Sequence, residues 1–216
     1  MSSENKFTIG EAIGFGWETV KKNLWFWIGI SVIYLVLTSL NVSFKQDSVN
    51  YQVSSIISGI FGIILSIGLV KISLKFIDGK KAEYKDLFTS YRLFWKMLGA
   101  QILIGLIVFA GFLLLIVPGI IWSIKYQFAP NFIVDKDMKI MEAMKASAVA
   151  TEGIKWQLFV LSLAFAGIMI LGMIALGIGI LVAFPIIWIA DCFVYRKLSK
   201  SNNKTEKVET EAAPAE

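Results

Sequence analysis

The sequence predicts an all-α integral membrane protein: six transmembrane helices in three hairpins, each preceded by an amphipathic interfacial helix. Three observations predict it. Of 216 residues, 56% are hydrophobic and only 17% charged, against about 25% charged in soluble domains, and mean hydropathy is +0.70. The apolar residues form continuous runs rather than alternating, which selects helices over a barrel. The charges are gathered into the segments between those runs.

Taken in order, the chain begins with a capping-box pattern at Thr8 and Glu11, whose side chains suit the first free N–H groups of a helix over 7–23. Ile9, Ile13, Trp17, Val20 and Leu24 recur at steps of three and four, an apolar helix face. Leu24–Leu40 and Val53–Ile77 are the first two apolar runs. Met97–Val134 and Leu158–Tyr195 are each 38 residues. A single helix of that length would reach about 57 Å, against a hydrocarbon core of about 30 Å. The first divides at Pro118-Gly119, the second within Gly172–Gly179. Ser54, Ser58, Gly62 and Ser66 are spaced by four, a small-residue stripe suited to close helix packing. Further amphipathic helices are expected over 82–95 (Tyr84, Leu87, Phe88, Tyr91) and 138–152 (Met141, Met144, Ala148).

These elements read as three copies of one unit, about 7–77, 82–134 and 138–197, in a membrane domain over 1–198. Glu11 precedes Trp25 by fourteen residues, as Glu142 precedes Trp156. Phe76-Ile77-Asp78 resembles Phe132-Ile133-Val134-Asp135 at the exit of the next hairpin. The tail 199–216 has no apolar face, and disorder is expected of it.

Of 21 Lys and Arg residues, 20 fall on the side holding both termini; only Lys45, in the 41–52 loop, falls on the other. Basic flanks are retained in the cytoplasm, so the expectation is a multi-pass protein of the cell membrane with both termini cytoplasmic. The first apolar run begins too late, at Leu24, for a cleaved signal peptide. The net charge of +5 sits at membrane borders. That favours the bilayer and its anionic lipid head groups as partners and not nucleic acid; a homo-oligomer is compatible, and protein partners are unspecified.

The stretch Gly111–Trp122 (GFLLLIVPGIIW), with Tyr126, Phe128-Ala-Pro130 and the Glu142-Ala143 run to Ser147, resembles the membrane domain of the glycerophosphoryl diester phosphodiesterase family. It is similar too to stand-alone multi-pass bacterial membrane proteins of unknown function. The resemblance covers roughly residues 5–198 and implies a six-helix membrane domain. It brings no catalytic residue, because that activity resides in a separate domain relying on His.

With no His and one Cys, His catalysis, His-ligated metals and intrachain disulfides are excluded. No catalytic, cofactor-binding or metal-binding residue emerges, and no cofactor is expected. Ionisable residues inside the bilayer are costly and mark candidate sites. Lys125 and Asp191 each follow a matched tryptophan (Trp122, Trp188) by three residues and are a candidate intramembrane charge pair; the alternative is that Lys125 snorkels to the head groups along its alkyl stem. Lys71 and Lys75 share a helix face near the end of the second run and are candidate lipid-phosphate anchors. The reading that follows is a non-catalytic membrane protein, not an enzyme, organising lipids or partner proteins. The alternative is a small-solute transporter or channel with a path lined by Ser, Gln101 and Lys125; a lipid-modifying enzyme ranks third.

Overall fold

The computed structural model describes residues 7–39, 49–175 and 179–212, with side chains as far as Ser201. The outer loop bearing Lys45, the turn at Gly177 and the last four residues lie outside these. Every regular element among the described residues is a helix: α1 (Ile9–Lys22), α2 (Leu24–Thr38), α3 (Val49–Ile77), α4 (Phe94–Leu114), α5 (Ile116–Tyr126), α6 (Ala129–Lys136), α7 (Ile140–Ala150), α8 (Lys155–Ile174) and α9 (Ile180–Ala212).

Three stretches are long and apolar enough to cross a bilayer: α3, the segment 84–114 ending in α4, and α8. A fourth is counted if α1 and α2, bent by 99° at Asn23, form one broken span. The expected six are therefore not all of bilayer length. Helix α2 alone has 15 residues. The apolar part of α9 reaches Arg196 after sixteen.

The expected fourth span is interrupted, and the cause is local. Pro130 occupies the first turn of α6, where its ring and missing N–H prevent α5 from continuing. Helix α7 then supplies the partners the break leaves wanting. Ser147 Oγ accepts the Phe128 N–H at 3.2 Å and donates to the Lys125 carbonyl at 2.8 Å. Irregular backbone buried among helices survives only where other groups satisfy its N–H and C=O.

Helix α1 starts as expected, with Thr8 Oγ1 accepting the Glu11 N–H at 3.2 Å. Its packed face is offset from the expected one. Ala12, Gly16 and Val20 are buried against α9, whereas Trp17 is 51% exposed. Small side chains let the two backbones close together. Helix α7 buries Ala143, Met144, Ser147 and Ala150, so Met144 lies on the packed face as expected while Met141 faces outward.

The segment 82–95 is not the amphipathic helix expected. It forms two short 3-10 turns, Tyr84–Leu87 and Tyr91–Leu93, leading into α4. Leu87 seats its backbone on α3 at Gly68, where a Cβ would lie 2.4 Å from the Leu87 Cα. That contact holds the segment to one place on α3. The tail departs from expectation in the opposite direction: α9 continues through residue 199 to Ala212 instead of ending in disorder. Its Lys, Glu and Ala are strong helix formers extending an existing helix, so no new nucleus is needed.

Helix α9 is the hub, packing against α1, α2, α3 and α8. Ser31 Oγ of α2 donates to the Leu181 carbonyl at 2.8 Å. The stripe on α3 faces inward, with Ser54 and Ser58 buried and both hydroxyls bonded within their own helix. Helices α4 and α5 form a close hairpin, since a Cβ on Gly111 would lie 2.9 Å from the Gly119 Cα. The hairpin tip is bare: Leu113, Leu114, Leu115, Ile116 and Val117 are each at least 65% exposed.

Candidate functional site

The charged side chains meet in one layer, built from the C-terminal turns of α3, the 83–93 segment, α6 and the second half of α9. Within it, Lys75 Nζ donates to both carboxylate oxygens of Asp86 at 2.7 Å. Asp86 is 5% exposed and also accepts the Glu83 N–H at 2.9 Å. Burial alone would raise its pKa. The hydrogen bond from Lys75, that from Glu83 and the positive charges of Lys75 and Lys71 outweigh it and hold the carboxyl below its ordinary value.

One turn earlier on α3, Lys71 Nζ donates to Thr89 Oγ1 at 3.0 Å and Ser90 Oγ at 3.1 Å. Lys71, Thr89, Ser90, Arg92, Lys136 and Asp137 line a cavity of about 640 Å³. Asp137 adopts left-handed backbone geometry (φ 53°), which Asp tolerates better than most residues. Lys96 fixes this turn, donating to the Asp137 carboxylate at 2.6 Å and to its carbonyl at 2.9 Å, and Arg92 adds a 3.3 Å ion pair. Hydrogen bonding from Lys96 chiefly lowers the Asp137 pKa.

A second constellation surrounds Arg196. One arm of its guanidinium donates to both oxygens of Asp135 at 3.1 and 2.9 Å, the other to Asp78 at 2.7 Å. The Tyr195 hydroxyl donates to Asp135 at 2.8 Å. One Arg thereby ties α9 to the ends of α3 and α6. The planar fork of Arg is suited to this and the ammonium of Lys is not. Nearby, Lys197 pairs with Glu11, and its hydrogen bond lowers the Glu11 pKa.

The sequence-derived sites fare unequally. Lys71 and Lys75 do share a face, but Lys75 is committed to Asp86, leaving Lys71 alone at the cavity. Lys125 and Asp191 form no ion pair. The Lys125 ammonium lies 5.4 Å from the Tyr126 ring centroid, and the Asp191 carboxylate instead faces Asn131 Nδ2 at 3.4 Å. The equivalence inferred from the tryptophans fails here because the break before α6 brings Asn131 to the face of α9 that bears Asp191. Sequence reasoning missed Arg196 and Asp86. A signal for the former was present in the matched exits Phe76-Ile77-Asp78 and Phe132-Ile133-Val134-Asp135, whose aspartates converge on that one guanidinium. Among the described residues, no three His, Cys, Asp or Glu gather as metal ligands.

Fold and site together define an all-helical protein with several apolar helices of bilayer length and a polar, cation-rich layer at one end. Residues 107–202, a little under half of the chain, match the model of a family described as protein of unknown function (DUF975). The chain is 31% identical over 143 residues to the uncharacterized protein Rv2560 of Mycobacterium tuberculosis, covering 65% of this chain and 43% of the relative. It is 30% identical over 147 residues to the uncharacterized protein Mb2590 of Mycobacterium bovis. The chain thus spans less than half the length of the curated relatives it matches. No solved structure matches it. The comparisons return a family of unknown function, which fits the expected likeness to proteins of unknown function; they show no link to the glycerophosphoryl diester phosphodiesterase membrane domain.

Proposed function

We propose that the chain is a non-catalytic multi-pass membrane protein that organises lipids or partner proteins. Six helices enter the bilayer in three hairpins, and both termini are cytoplasmic. One observation carries this reading. The second residue of α2, of α4 and of α8 is in each case an exposed tryptophan: Trp25 at 83%, Trp95 at 76% and Trp156 at 75%. Tryptophan ringed by Lys and Arg belongs at the membrane–water boundary. Lys21, Lys22, Arg92, Lys96 and Lys155 lie beside these three helix starts, so the belt and the basic layer mark one interface. Polybasic surfaces of this kind attract anionic head groups at about 1 kcal/mol per cation.

Gln101 lies on the exposed face of α4, which weighs against a polar path through Gln101 and Lys125. The two readings separate in reconstituted vesicles. Spin-labelled phosphatidylglycerol should associate with the protein at least about twofold more strongly than spin-labelled phosphatidylcholine, and a trapped small solute should stay trapped. Equal association of the two lipids contradicts lipid organisation, and protein-dependent leakage favours the transporter.

A further inference from the structure

We infer that the cavity beside Lys71 binds the phosphate group of a phosphate ester. Lys71 spends two ammonium hydrogens on Thr89 and Ser90; among the described residues the third, with the Ser90 hydroxyl hydrogen, has no acceptor. Arg92 and Lys136 add two cations to the wall. The two carboxylates that also line it do not cancel this charge. Asp135 is held by Arg196, and Asp137 by Lys96 at 2.6 Å, its contact with Arg92 being the longer at 3.3 Å. An ammonium, a hydroxyl and a guanidinium converging on one space are the donor set that phosphate oxygens require.

Part of the lining is apolar. Leu93 and Val134 line the cavity, and both pack with Ile67 and Met97 of the membrane helices. A bare anion would gain nothing there, but the alkyl portion of an ester would. The volume, about 640 Å³, lies in the range of small-molecule sites. Lys71 directly follows the apolar stretch of α3, so the proposed threading brings it to the level of the head groups. The ester is either a lipid head group or a soluble phosphate ester. The inference rests on the lipid-organising reading only for that source.

The test is calorimetric titration of the full chain in a phosphate-free maltoside detergent. The probes are inorganic phosphate, glycerol 3-phosphate and the short-chain lipid dihexanoyl phosphatidylglycerol. Saturable binding of at least one probe is expected, weakened about tenfold or more in Lys71→Met, the scale of one charge-assisted hydrogen bond. Arg92→Met, whose side chain is 82% exposed, should weaken it as well without disturbing the fold. Lys22→Met, 73% exposed and remote from the cavity, should leave it unchanged. Tighter binding of the lipid identifies a head group as the ligand. Binding of the soluble probes alone keeps the phosphate site and removes the lipid-organising reading. Lipid binding that survives both Lys71→Met and Arg92→Met, or no saturable binding of any probe, overturns the site.

Discussion

Two side chains in the basic layer are committed in ways that predict measurable costs. Asp86 is buried with Lys75 across its carboxylate. Asp86→Ala should lower stability by about 2–3 kcal/mol, less than for a fully enclosed pair because Lys75 can turn to water. Its lowered pKa fixes the pH dependence. The unfolded carboxyl titrates near pH 4, so the stabilisation is complete above that value and is lost as pH falls through the lower folded pKa. The margin in unfolding midpoint of wild type over Asp86→Asn should therefore be constant near neutrality and shrink below about pH 4. A margin that grows on acidification contradicts the assignment. Arg196→Met should cost about 3–4 kcal/mol, since it strands Asp135 and Asp78 together. Arg196→Lys should recover only part, because one ammonium cannot fork to two helices. At this scale Lys71 and Lys75 were legible in the sequence, and Asp86 and Arg196 were not. Lys71 and Lys75 stood out by sharing a face in an apolar run, whereas Asp86 lay in an ordinary polar loop until the fold placed it.

The start of α1 was legible because local chemistry at Thr8 and Glu11 governs it. Features set by tertiary contact were not. The 83–93 segment has helix-like spacing, yet Asp86 and Gly68 bind it down as 3-10 turns. The break before α6 shows as Pro130, but its repair by α7 needed Ser147 to arrive from nineteen residues away. Ser147→Ala should leave the buried Phe128 N–H without a partner and lower stability by about 1–3 kcal/mol; a neutral effect in thermal unfolding would show that the break needs no support. The bare α4–α5 tip gives a different prediction. Twenty residues separate Trp95, at the boundary, from Leu115, about 30 Å of helix and the full depth of a core of about 30 Å. A cysteine at Leu115 should therefore react with a charged maleimide from outside intact cells. Protection from both sides would show that the hairpin stops within the bilayer.

At the scale of the whole molecule, charge and tryptophan divide the protein into a cation-rich end and an apolar body. Composition and the lysine distribution made that division readable before any coordinates. The number of crossings was not, because α2, α5 and the apolar part of α9 are each shorter than a bilayer-length helix, and run length alone conceals where a helix breaks. That the cation-rich end faces the cytoplasm, with both termini on that side, is the central claim. It is tested most directly by the side on which engineered cysteines react with a membrane-impermeant maleimide in intact cells. Asn50→Cys, in the first turn of α3, should label from outside, and Ser201→Cys, in the second half of α9, only after the membrane is permeabilised. Labelling of Ser201→Cys in intact cells, with Asn50→Cys protected, would contradict it.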